Sequence, residues 1–261
     1  MLSEEIRCIY RANQLVDVIC QLRFPEILTI EANAPVEFQE AVRGAFPKFS
    51  VRKEHSSPMV SGTPSNLHLE APISTNNYQF TSADGSLRIN LTSKFISLSC
   101  NRYTRWEDFA KQLDLPLAAF IQIYHPALFE RIGLRYINAI SRRDLGLEDC
   151  MFRDLIQPIY LGPLNDENIS ESAFHRVGTD FEVMMGGGIT AKVHAGPGHL
   201  NKNGQTDPEP KFILDLDHYV GGDTMVCHAA PTLDAIHCKA TQMFRGSITD
   251  TLHNAMDPIT A

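Results

Sequence analysis

The stretch Leu15–Phe24, LVDVICQLRF, sets Val16, Val18, Cys20, Leu22 and Phe24 on one side and Asp17, Gln21 and Arg23 on the other. A period of two places successive side chains on opposite faces, so this run fits a half-buried strand and argues against a helix. The pattern recurs along the chain. In NYQFTS, LRINLT and FISLSC, Leu87, Ile89 and Leu91 point one way with Ile96, Leu98 and Cys100, while Arg88, Asn90 and Thr92 point the other. RIGLRYINAI, RVGTDFEVMM, ITAKVHA and KFILDLDHYV continue it in the second half. Asp84-Gly85 and Gly186–Gly188 supply hairpin turns between such runs. Strands joined by short turns pair antiparallel.

Helical periodicity interrupts this pattern at defined places. APVEFQEAVRGAF carries an apolar stripe of Phe38, Ala41, Val42 and Ala45, with Pro35 suited to a first helical position and Pro47 as a stop. A longer helix opens at TRWEDF, where Thr104 and Glu107 have capping-box spacing. Its stripe runs from Trp106 through Phe109, Leu113, Leu117 and Phe120 to Tyr124, and Pro116 predicts a kink or a division into two parts. A last helix from about Thr232 buries Leu233, Ile236, Ala240, Met243 and Phe244, ends at Gly246, and is followed by a Ser247–Asp250 cap for a further turn or two. Residues 55–77 are rich in Ser, Pro, Asn and Thr and read as a mobile connection, or as one hiding a short strand around Leu67 and Leu69.

Strand runs followed by a long amphipathic helix, twice over, predict an α+β fold with antiparallel sheets rather than a doubly wound parallel one. The two loosely similar halves are 1–145 and 146–261, with the break expected in 145–170, and they remain free to share one continuous sheet. A chain of 261 residues with 43% hydrophobic content builds its core without disulfides. The six cysteines, none spaced Cys-x-x-Cys, read as free thiols of a reducing cytoplasm. MLSEEIRCIY lacks an apolar signal core, and no apolar run reaches the ~20 residues of a membrane span. A formal net charge of −8 disfavours broad nucleic-acid binding, which needs a positive face to displace phosphate counterions.

Five segments occur in a recognisable order: VICQLRFPEIL, RYTRWEDF, RIGLRYINAI, FILDLDHY and MFRGSITDTLHNAM. Their order and spacing resemble a sporadically distributed family of uncharacterised bacterial proteins of about 260 residues, over nearly the whole chain. The resemblance brings no reaction, cofactor or catalytic residue with it. Sporadic distribution implies horizontal exchange, as with phage-defence or toxin–antitoxin cargo.

RIGLRYINAI poses the sharpest question of chemistry. Tyr136 and Asn138 share an otherwise apolar face. A buried amide needs a partner, so Asn138 either ties the strand to a neighbouring backbone or lines a pocket between sheet and helix. On the opposite face Gly133 leaves a gap between Arg131 and Arg135. Two guanidinium groups beside a gap suit a phosphate or carboxylate; equally, they suit acidic cross-strand partners such as Asp17, Glu182, Asp215 or Asp217, or an aromatic ring over the glycine. Arg142 and Arg143 extend the basic character. Asp215 and Asp217 share a strand face and offer a hard divalent metal two carboxylates, with His194 or His199 near by chain path. No phosphate loop, dinucleotide fingerprint, His-Glu-x-x-His or Gly-x-Ser-x-Gly motif is present. Trp106 lies on the apolar stripe and reads as core.

The expected function is therefore a non-enzymatic cytoplasmic binding or regulatory protein, taking a protein partner or a small anionic ligand and leaving self-association open. The alternatives are a metal-assisted hydrolase or phosphoesterase using Asp215 and Asp217, and a nucleotide or signal-molecule binder with its arginines on phosphate.

Overall fold

A computed structural model describes residues 2–55, 59–63, 66–70, 74–202 and 204–260. Among the described residues nine strands form one sheet: β1 (Leu15–Arg23), β2 (Lys48–His55), β3 (Ser74–Thr81), β4 (Leu87–Leu91), β5 (Phe95–Cys100), β6 (Leu128–Ile140), β7 (Thr179–Met184), β8 (Ile189–Gly198) and β9 (Lys211–Met225), all but β2 from the alternating runs. Their spatial order is β7-β8-β9-β6-β1-β5-β4-β3-β2, antiparallel throughout. The fold is α+β.

The order has a simple logic. β1 is followed by helices α1 (Leu28–Ala32) and α2 (Val36–Val42), then by strands whose last member, β5, returns to pair with β1. Helix α3 (Trp106–Tyr124) ends this passage. β6 opens the second passage, followed by α4 (Phe152–Leu155), α5 (Pro158–Leu161) and a meander whose last member, β9, returns to β6. Helix α6 (Ala229–Arg245) matches α3, and α7 (Asp250–Ala255) follows. β1 and β6 pair with each other, so one sheet runs through both halves. β6 pairs with β1 on one side and with β9 on the other, so it joins the two halves. The stop lies in the chain itself: His125 closes α3 in the left-handed conformation at φ 46°, and Pro126 cannot continue the helix.

The inward faces follow the alternation. Val18, Cys20, Leu22, Ile89, Leu91, Ile96, Leu98, Ile132 and Leu134 are buried with Phe38, Phe109, Phe120, Leu233 and Ile236 in a core that spans both halves. A second core joins Ala191, Val193, Phe212 and Leu214 to Phe152, Tyr160, Met243 and Leu252. Cys20 and Cys100 are buried free thiols, and the other four cysteines are also free. Gly186, Gly187 and Gly188 all have positive φ, which is why the β7–β8 turn needs glycine.

Several local expectations change. The Thr104–Glu107 capping box does not form: Arg105 is the N-cap, and Glu107 is held instead by Arg7, Nη1 to Oε1 at 2.6 Å. α3 runs through Pro116 as one helix. α2 is shorter than its stripe, with Pro35 at its N-cap. α7 is capped by Thr249, which accepts from the Leu252 N–H, while Ser247 bonds back to Phe244 O. Lys48–His55 is an edge strand that its polar sequence did not announce. Met59–Thr63 pairs antiparallel with Asn66–Glu70, including the strand expected around Leu67 and Leu69; residues 56–58, 64–65 and 71–73 of the expected mobile connection lie outside the described residues.

Candidate functional site

The arginines of β6 are engaged. Arg131 Nη2 lies 2.8 Å from both oxygens of Asp217, and Arg135 Nε lies 2.8 Å from Asp215 Oδ1. Asp215 holds the Arg135 guanidinium above its ordinary pKa. The gap at Gly133 is filled by the neighbouring arginine: a Cβ there would meet Arg131 Nη1 at 2.5 Å. Tyr219, opposite Gly133 in register, places its ring 4.4 Å from the same guanidinium and donates its hydroxyl to Glu182. The acidic partners anticipated for a solvated sheet face are thus present. Glycine here admits an arginine lying flat along its own strand.

The same pairs bear on the metal expectation. Asp215 and Asp217 are each committed to a guanidinium, His194 bonds Asp180 at 2.7 Å, and His199 bonds Asp207 O. Among the described residues no group of three or more His, Cys, Asp or Glu side chains could hold a metal. Arg142 pairs with Glu171, and Arg143 with Asp207 and Glu209.

The other face of β6 leads elsewhere. Asn138 is 2% exposed and donates Nδ2 to Leu214 O at 3.2 Å, tying β6 to β9 beside a register shift in β1 between Leu15 and Asp17. Asn138 also lines a cavity of about 400 Å³. Tyr136, Asn138 and Leu216 form its floor, α6 a wall, and the segment Glu5–Tyr10 its cover. Both readings of Asn138, register tie and pocket wall, describe one residue.

Each wall follows from local sequence. His237 falls on the buried stripe of α6, four residues after Leu233, so it faces the sheet. Its Nδ1 lies 2.9 Å from Tyr136 OH, and its ring stacks on Trp106 at 4.9 Å and 12°. Trp106 is core, as its stripe predicts, and donates Nε1 to Asp234 at 2.8 Å. Burial pushes His237 down to about 4, so the imidazole is neutral near pH 7. Burial likewise holds the Tyr136 phenol well above its usual range. His237 Nε2 is buried without a hydrogen-bond partner.

The cover is tied at several points. Arg7 bridges to Glu107, Glu5 to Arg245 at 2.7 Å, and Ser3 N–H to Gln242 O at 3.0 Å. Strand Cys8–Tyr10 pairs with Pro258–Thr260. Sequence reading missed His237 and this cover. The histidine had a signal, a polar residue on an apolar stripe; the cover had none, because its partners lie 100 and 240 residues away.

Among the described residues no helix is long and apolar enough to cross a membrane. No family model matches the chain, nor does any curated protein or solved structure.

Proposed function

We propose that this is a non-enzymatic binding protein whose ligand is a small molecule held between the central strand β6, helix α6 and the amino-terminal cover. The observation that carries this reading is the cavity itself. Its volume of about 400 Å³ lies within the range of small-molecule sites. The walls are mostly apolar, with a few convergent polar groups, as such sites usually are. The free cysteines suit work in a reducing cytoplasm. The family resemblance suggests a regulatory module of an accessory bacterial system such as phage defence. The paired arginines and aspartates of β6 and β9 do not favour the hydrolase or nucleotide readings, because each charge already has its partner.

Native mass spectrometry of gently purified protein tests the proposal. The expected result is retained non-protein mass of an organic compound, lost in Thr241→Phe. Thr241 is a half-buried cavity residue outside both cores, so filling the space there should leave the fold in place. A ligand retained equally by both proteins would remove this cavity from the function.

A further inference from the structure

We infer that the cavity selects an uncharged molecule whose polar end donates a hydrogen bond to Asn138 Oδ1, as the N–H of an amide or lactam does. The inference rests on the reading that the cavity holds a ligand, and names its chemistry.

The first argument is the orientation of Asn138. Leu214 O can only accept, so the amide nitrogen must face it. That assigns the other end of the side chain as Oδ1. This oxygen accepts no hydrogen bond from any described residue and keeps accessible surface, on a side chain that is otherwise buried and lines the cavity. Such an acceptor favours a ligand that brings a donor.

The second argument is charge. Three arginines line the cavity, and all are neutralised: Arg7 by Glu107, Arg105 by Asp108, and Arg245 by Glu5 and Asp250. Glu5 is the lining carboxylate and is held by Arg245. His237 is neutral. The surplus carboxylate charge at Arg245, shared by Glu5 and Asp250, sits on exposed side chains in water, so an ionised head would leave water without a buried counterion to receive it, which costs far more than moving a neutral amide. The apolar body then lies against Leu15, Leu216, Phe244 and Met256.

Four probes with one tail separate these demands: octanamide, methyl octanoate, octanoate and octylammonium, titrated calorimetrically into the full chain. Octanamide is the neutral donor; the others lack the donor, add a negative charge or add a positive one. The expected result is octanamide binding at least about tenfold tighter than each of the others, the ratio lost when one buried polar group goes unpaired. Equal binding of all four, or tightest binding of either ion, overturns the inference and leaves the cavity reading standing. No binding by any probe, with no retained ligand in the native protein, removes the cavity reading as well. In Asn138→Leu the preference for octanamide over methyl octanoate should vanish; its persistence would overturn the role of Oδ1. Should that variant fail to fold, the four titrations of the unaltered chain still decide.

Discussion

His218 and His237 are two imidazoles the fold buries. His218 is fully buried on the inward face of β9, opposite Leu134 and Ala191, and burial pushes it down to about 4. His237 is held near the same value for the same reason. An unfolded chain takes up these protons near pH 6.5, while the folded chain resists until about 4. Stability is therefore full above pH 6.5 and falls as pH drops toward 4, by on the order of 3 kcal/mol per histidine at the acid limit. Carboxylates act lower. Glu107, held down to about 2 chiefly by its bond to Arg7, withdraws its contribution only below pH 4.5. Urea midpoints at pH 8, 6 and 5 should fall steadily for the native chain, and the slope should be about halved in His218→Leu, which removes one of the two groups. A flat profile between pH 8 and 5 would mean that the imidazoles are hydrated. Of these residues, Asn138 and Tyr136 were legible as an anomaly on an apolar face. Their neighbour His237 was not, because helix periodicity assigns a face and says nothing of which strand residue that face will meet.

The elements differ in how firmly they are held. β1 and β6 lie inside the sheet, hydrogen-bonded on both sides, while the amino-terminal cover is fixed by one short strand pair and a few exposed ion pairs. Exposed pairs contribute about 0–1 kcal/mol each. Arg7→Ala should therefore change global stability by less than about 1 kcal/mol, yet loosen the cover locally. Hydrogen exchange is the appropriate measurement: the amides of Ile9 and Tyr10 should exchange severalfold faster in the variant, with those of β1 and β6 unaltered. Unchanged exchange at both places would assign the cover wholly to its pairing with Pro258–Thr260. Strands with clean alternation and a turn residue were legible because burial on one face writes a period of two into the sequence. β2 was not: Ser50, Val51, Arg52 and Lys53 are all exposed at the sheet edge, and an edge exposed to water imposes little pattern. The cap at Thr104 failed for a related reason. A spacing rule sees four consecutive residues, whereas Arg7 reaches Glu107 from 100 positions away.

At the scale of the molecule, the decisive joint is β1 against β6, where the first strand of one passage meets the first strand of the other. The sequence showed two similar halves but left open whether they share a sheet, because pairing between distant strands leaves no local trace. The joint has an energetic consequence. Leu134 on β6 is fully buried, opposite Cys20 on β1, in the core that also holds Val18 and Leu98 of the first half and Ile236 and Ala240 of the second. Neither half can close that core alone, so the chain should unfold as one unit. Leu134→Ala removes packing on both sides of the joint and should cost about 2–5 kcal/mol, the range for a large-to-small change in a core. The single Trp106, on α3 and stacked against His237 of α6, gives a fluorescence signal from the contact between halves. Far-ultraviolet circular dichroism reports the whole chain. In urea the two signals should coincide, and in Leu134→Ala both midpoints should move down together. Two separated transitions, with only one shifted by the substitution, would show that the halves fold independently and that the shared sheet joins units already stable on their own.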